Sequence, residues 1–343
     1  MILRRKFEMK IGGHKVRLGE RTLIMGVLNV TPDSFSDGGR FLNPQRAIEH
    51  GLKMARQGTD WIDVGGESTR PGSHPVPAEE ELRRVIPVIQ ALHHEMPALP
   101  ISIDTTKAEV AEKAVRAGAT IINDVSGLRF DPELTGVARR HGTPLILMHI
   151  RGRPLTMQRR PFARSIWRSV STGLAWSIHT ALRSGVSRSQ MIIDPGLGFG
   201  KTRLQNFEIL AELERLNMFH LPILVGTSRK SFVQAIVAGE EFAQRAGAPG
   251  HSPAHAAPSP AIEGSGQVLK GDATKSVTKS ANKSLWALTG MGRESDSQLF
   301  LGDSAAVAAS ILAGAHIVRI HDVESILPAV RIADAILNAR SRK

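Results

Sequence analysis

The feature that most constrains this chain is an eightfold alternation. A short β-branched apolar run ends in polar or glycine residues, and a longer amphipathic stretch follows. The runs are LIMGVLNV from Leu23, DWIDVGGE from Asp60, PISIDTT from Pro100, TIINDVSG from Thr120 and PLILMHI from Pro144, then MIIDPGLGF from Met191, PILVGTSR from Pro222 and HIVRIHDV from His316. Helices are expected between them at 44–58, 78–94, 107–118, 131–142, 165–185, 203–217, 230–239 and 303–314, several closing on a C-terminal glycine. Near-continuous apolar strands alternating with helices predict a parallel sheet covered on both faces. Eight such units in 343 residues fit an α/β fold of the (β/α)8 TIM-barrel type.

A doubly wound open sheet is the competing architecture. Polar residues favour the barrel, because they stand at the carboxyl end of nearly every run: Asn29, Asp63 with Glu67, Asp104, Asn123 with Asp124, His149, Asp194, Lys230, and Arg319 with His321. In a barrel all these ends converge on one mouth. In an open sheet only those beside the switch point meet. Any one of them could be a helix cap, and Asp104 before Thr105-Thr106-Lys107 could serve so alone. Eight in succession exceed what capping requires.

Two segments depart from the rhythm. Residues 1–22 read as a hairpin turning at Gly12-Gly13 and closing the barrel. The barrel itself is expected at 23–240 and 299–343. Residues 241–298, rich in Ala, Gly, Ser and Pro, form a low-complexity insertion before the last βα unit and are expected to stay disordered.

Composition narrows the chemistry. There are no cysteines, which removes thiolate nucleophiles and thiolate metal sites. The net charge is +12, concentrated in residues 1–22 and in eight arginines between Arg151 and Ile193 that meet no acid. We read these as solvated basic faces rather than a nucleic-acid site, because at 4% aromatics stacking platforms are scarce. The most apolar later stretch, 305–318, is too short to span a bilayer, and a cytoplasmic protein is expected. The loop IDPGLGFGKT (193–202) nearly matches a phosphate-binding P-loop but has Pro195 where the pattern needs glycine.

The loops after the first two strands, Asn29-Val30-Thr31-Pro32-Asp33-Ser34-Phe35-Ser36-Asp37-Gly38-Gly39 and Ile62-Asp63-Val64-Gly65-Gly66-Glu67-Ser68-Thr69-Arg70-Pro71-Gly72, closely resemble those of dihydropteroate synthases. So do Ile103-Asp104-Thr105, Ile122-Asn123-Asp124, Met148-His149, Asp194-Pro195-Gly196, Ser228-Arg229-Lys230-Ser231 and Arg319-Ile320-His321-Asp322-Val323, in that order along the chain. The resemblance spans about residues 10–240 and 299–340.

It implies an Mg²⁺-dependent transferase that joins a hydroxymethyl-dihydropterin pyrophosphate to p-aminobenzoate, the target of sulfonamides, acting as a homodimer. It implies Asp194, Asn123, Asp104, Lys230 and Arg319 as pterin contacts, with Asp104, Lys230 and Arg319 catalytic. Ser68, Thr69, Arg70, Pro71, Phe199 and Ser228 would hold p-aminobenzoate or form the loops over it. Asn29, Arg70, Arg319 and His321 would meet the pyrophosphate, and Asn29 the metal. The chain departs from the family at Ile150-Arg151-Gly152, at Phe162-Ala163-Arg164-Ser165, and at Asp303, where Thr or Ser is common. Lys201 reads as an accessory positive charge. The alternatives are a pterin-dependent methyltransferase barrel and a non-catalytic pterin-binding paralogue.

Overall fold

The structure, a computed structural model, describes residues 4–31, 44–159, 161–239 and 292–341. An antiparallel hairpin of β1 (Phe7–Ile11) and β2 (His14–Leu18) precedes β3 (Leu23–Asn29), α1 (Pro44–Arg56), β4 (Trp61–Gly65) and α2 (Ala78–Glu95). Then follow β5 (Ile101–Asp104), α3 (Ala108–Arg116), β6 (Ile121–Asp124), α4 (Leu134–His141), β7 (Leu145–Met148) and α5 (Ile166–Arg183). The chain continues through β8 (Met191–Asp194), α6 (Arg203–Ala211), β9 (Leu224–Val225), α7 (Ser231–Val237), α8 (Gly292–Leu312), β10 (Ile317–Ile320) and α9 (Val323–Ser341).

The eight parallel strands run in the order β8-β7-β6-β5-β4-β3-β10-β9. A parallel bridge between Ile193 and Ile223 joins the two ends, so the sheet curls into a nearly closed barrel. All eight apolar runs became strands. Their residues are buried on both faces, as strands enclosed by helices outside and side chains inside must be.

Strand parity sorts the core. Ile24, Ile103, Ile122, Leu147, Ile193 and Val318 point outward and pack with the helices. Leu23, Met25, Trp61, Ile121, Ile146, Ile192, Leu224 and Ile317 fill the lower barrel together with Met9, Ile11 and Leu18 of the hairpin. The hairpin thus packs against the amino-terminal ends of the strands. Inward positions one or two steps further along each strand reach the mouth, because alternate residues share a face.

The helices form where sequence signals placed them. Ser165 caps α5, its hydroxyl accepting from Arg168 N, and Thr202 with Gln205 makes a capping box for α6. Three glutamates open α2, where the helix dipole favours negative charge. Two differences matter. The helix expected from residue 303 begins at Gly292, so 292–298 belong to it and not to the insertion. The closing helix 323–341 was not anticipated, and Asp322 caps it by accepting from Ser325 N at 3.1 Å. The rest of the insertion, 241–291, and most of the first loop, 32–43, lie outside the described residues.

Candidate functional site

Inward parity and register bring one group of polar side chains to the mouth. Asp104 pairs with Gly65 on one side and Asn123 on the other, so these positions share a level. Arg319, inward on β10, lies between two carboxylates. Its Nε donates to Asp63 Oδ2 at 2.6 Å and its Nη2 to Asp104 Oδ2 at 2.8 Å. Asn123 Nδ2 donates to the same Asp63 oxygen at 3.0 Å. Two anions fix the plane of one guanidinium, a strong charge-assisted arrangement.

The second oxygens of these acids are the chemically telling ones. Asp63 Oδ1 and Asp104 Oδ1 are buried and, among the described residues, receive no hydrogen bond. A buried acceptor left unpaired is costly and suits a ligand that brings N–H donors. Burial, with the Asp63 charge beside it, pushes the Asp104 carboxyl well above the usual carboxylate range. Asp63, one of the polar strand ends, carries no assigned role in the sequence, and the structure makes it a partner of Arg319 and Asn123. Its inward parity two positions before Gly65 was the available signal.

Asp194 ends β8 opposite this network. Its Oδ1 accepts from Gly196 N at 2.7 Å, and burial raises the carboxyl to about 6. Lys230 follows β9 and its ammonium lies 4.2 Å from the centre of the Phe199 ring, a cation–π contact. Burial and the nearby Arg319 lower the Lys230 amine to about 8, with Asp194 and Asp104 opposing that shift. Phe199 rests on Val125, Met148, Ile150 and Met157, which gives the site an apolar wall next to its charges.

The glycine loop between Asp194 and Thr202 is shaped by backbone contacts. Gly196 has φ +67°, and a Cβ there would lie 2.0 Å from His149 O. Lys201 is buried, and its Nζ donates to the carbonyls of His149, Gly196 and Phe199 at 3.1, 2.6 and 3.0 Å. It is therefore an internal clasp on the loop rather than an accessory positive charge. Arg151, one of the departures from the family pattern, donates to Gly200 O at 3.2 Å and to Pro161 O. Buried His149 stays a structural group, with Ser169 Oγ 3.4 Å from its Nε2.

Asp124 stands beside Asn123 but points outward. Its carboxylate accepts from Ser126 N and Leu128 N at 2.8 and 2.5 Å, so it shapes a turn. Ser228 and His321 meet at the end of β9 and β10, with His321 N donating to Ser228 Oγ at 3.3 Å. Burial, then the nearby Arg319, Arg229 and Lys230, lower the His321 imidazole to about 3. Near neutral pH it can donate one N–H but carries no charge.

Ser68, Thr69, Arg70 and Pro71 occupy the loop after β4. Ser68 and Thr69 are half-buried, Arg70 and Pro71 exposed, so this loop stands over the mouth and apart from the inner network. Its foot is fixed by Lys107, whose Nζ donates to Glu67 and Glu81 at 2.5 Å each. Its tip meets the loop after β7, where Gly72 N donates to Pro154 O at 3.0 Å.

Asn29 ends β3 on the inward parity. Among the described residues no cluster of three or more His, Asp or Glu could enclose a metal. A hard cation that keeps its waters and shares phosphate oxygens needs only one or two protein oxygens. The donor set thus fits Mg²⁺ arriving with a pyrophosphate.

Comparison with known proteins agrees with this geometry. Residues 25–259 match the pterin binding enzyme family. The dihydropteroate synthase of Synechocystis is 39% identical over 318 residues, covering 93% of this chain and 91% of that protein. The Xanthomonas albilineans dihydropteroate synthase, solved with 4-aminobenzoic acid, superposes with a TM-score of 0.74 at 33% identity, covering 97% of this chain and 98% of that one. The Yersinia pestis dihydropteroate synthase, solved in a sulfonamide drug complex, superposes with a TM-score of 0.75 at 32% identity over 98% and 100%.

Proposed function

This chain belongs to the dihydropteroate synthases, a family of pterin-binding enzymes, and from that premise we propose how its barrel mouth carries out the reaction. The enzyme condenses 6-hydroxymethyl-7,8-dihydropterin pyrophosphate with p-aminobenzoate, giving 7,8-dihydropteroate and pyrophosphate in folate biosynthesis. The observation that carries the mechanistic reading is the buried network Asp63–Arg319–Asp104–Asn123 facing Asp194 and Lys230.

A pterin edge offers an amide N–H and an amino group side by side. Asp194 accepts both, Asn123 and the unpaired Asp104 oxygen take the remaining donors, and Lys230 donates to the ring carbonyl. Arg319, held flat by Asp63 and Asp104, supports the ring. The bond between the pterin methylene and the pyrophosphate oxygen breaks first, leaving positive charge on the pterin, which favours the ionised form of the raised Asp104 carboxyl and is offset by it. The amine nitrogen of p-aminobenzoate then bonds to the methylene and loses a proton. Electrostatic stabilisation of separated charges is the main catalytic effect, and no covalent nucleophile is needed.

Asn29, Arg70, Arg319 and the neutral His321 N–H receive the pyrophosphate. Mg²⁺ would be held by Asn29 and the pyrophosphate, and supplies charge neutralisation on the leaving group when bound. Phe199, Pro71, Ser68, Thr69, Ser228 and the Lys230 stem form the p-aminobenzoate subsite, where a sulfonamide would compete. The proposed compartment is the cytoplasm; among the described residues no helix is long and apolar enough to cross a membrane. A homodimer is proposed through α8 and α9, where Leu301 and Ile332 are 68% and 64% exposed.

Turnover tests the whole reading. Purified protein, both substrates and Mg²⁺ should release pyrophosphate, and Lys230→Ala should lower kcat/KM by about 10²-fold or more. Release from the parent no faster than from the variant would sink the assignment.

A further inference from the structure

The segment Ser228-Arg229-Lys230 leaves β9 and opens α7 along an unusual backbone path. Arg229 has φ +56°, the left-handed region that bulky residues adopt only where the surroundings fix them. Its amide points at Asp303: Oδ2 accepts from Arg229 N at 2.8 Å and from Ser228 Oγ at 3.3 Å. Asp303 sits in the interior of α8, not at its start, so it cannot cap its own helix. It is 6% exposed.

Its neighbour explains the reach. A Cβ on Gly302 would lie 2.4 Å from Val237 Cγ2, so the missing side chain lets α8 lie against α7 and brings the carboxylate beneath the loop. Ser228 extends the tie, since its Oγ accepts from His321 N at 3.3 Å. One carboxylate therefore joins α8, the start of α7 and the end of β10. Lys230 comes next in the chain, its ammonium over Phe199.

We propose that Asp303 is a positioning residue of the p-aminobenzoate subsite: by holding Arg229 in its left-handed conformation and fixing Ser228, it places Lys230 and the first turn of α7 against the arylamine substrate. This rests on the assignment of Ser228, Lys230 and Phe199 to that substrate. Of the pterin contacts only Lys230 shares this segment; Asp194, Asn123, Asp104 and Arg319 stand on other strands and do not depend on it.

Steady-state kinetics of the full chain, with each substrate varied in turn, tests it. Asp303→Ala should raise KM for p-aminobenzoate about tenfold and KM for the dihydropterin pyrophosphate less, by about threefold at most, since Lys230 is only one of several pterin contacts. Asp303→Asn keeps an oxygen acceptor for Arg229 N and should stay within about threefold of the parent. Adding Arg229→Gly to Asp303→Ala should restore the arylamine KM, because glycine takes positive φ unaided. An unchanged KM in Asp303→Ala, an equal rise for both substrates, or no rescue by glycine overturns the proposal. If Asp303→Ala does not fold, Asp303→Ser, whose shorter side chain withdraws the acceptor from Arg229 N, replaces it: a rise of about tenfold in the arylamine KM supports the proposal and an unchanged KM overturns it. A parent chain that turns over neither substrate condemns the assignment under Proposed function instead.

Discussion

Asp194 and Lys201 lie in one loop, are both buried, and do opposite jobs. Asp194 holds an acceptor ready for a ligand, while Lys201 spends three N–H bonds on the loop's own carbonyls. Residue type in the sequence separates neither. Strand parity places Asp194, but the inward turn of Lys201 depends on where His149 O comes to lie. Burial raises the Asp194 carboxyl from its ordinary 3.8 to about 6, which gives a signed prediction. The unliganded fold prefers the neutral acid, so the stability this group contributes is present below about pH 4 and is lost as pH rises through about 6. Pterin recognition needs the carboxylate and runs the other way. Asp194→Asn should therefore be more stable than the parent at pH 7, on the order of 1–3 kcal/mol, with the gap closing by pH 4 in thermal denaturation. Pterin affinity of the parent should fall towards about tenfold per pH unit below pH 6, as read by titration calorimetry. A parent affinity that is flat between pH 7 and 5 contradicts the role given to Asp194.

At the scale of elements, the glycine loop and α8 show what packing adds to pattern. Gly196, Gly198 and Gly200 all have positive φ, and Gly196 also passes His149 O with no room for a side chain. Gly196→Ala should cost about 2 kcal/mol or more and lower kcat/KM by about 10²-fold, since its N–H holds Asp194. Urea denaturation and steady-state assays of the same preparation check both figures, and a fully active alanine variant would show that the turn does not place the carboxylate. Helix α8 was legible only in its second half. Its first turns, Gly292 onward, follow a stretch without apolar periodicity, and the Gly302 contact with α7 that fixes its position joins residues 65 apart in the chain. In the sequence Asp303 is a departure from the family at an expected helix start, and only the packed helix shows that its carboxylate serves a distant loop.

For the whole molecule, the hairpin and the insertion bracket the barrel. The hairpin buries Met9, Ile11 and Leu18 in the lower core, so it is part of the fold. Residues 241–291 follow α7 and precede α8 in the chain and lie outside the described residues. Deleting 243–290, which spares α8, should leave kcat/KM within about threefold and the mass in solution that of the same number of chains as the parent assembly. Light scattering with the turnover assay decides this, and loss of either property would give the segment a working part. The barrel was legible because eight strand periods, each ending in polar residues, are a local signal repeated along the chain. Asp104, Asn123, Asp194 and Arg319 are legible in sequence as polar strand ends, while the roles given to them come from the family resemblance. The sequence by itself determined this alternation, and with it the strand count and the inward face. Only the tertiary structure decided that Asp63 clamps Arg319, that Lys201 turns inward, and that Asp303 reaches the Ser228 loop. Each of those contacts joins segments whose approach is set by barrel closure and helix packing, which no local spacing encodes.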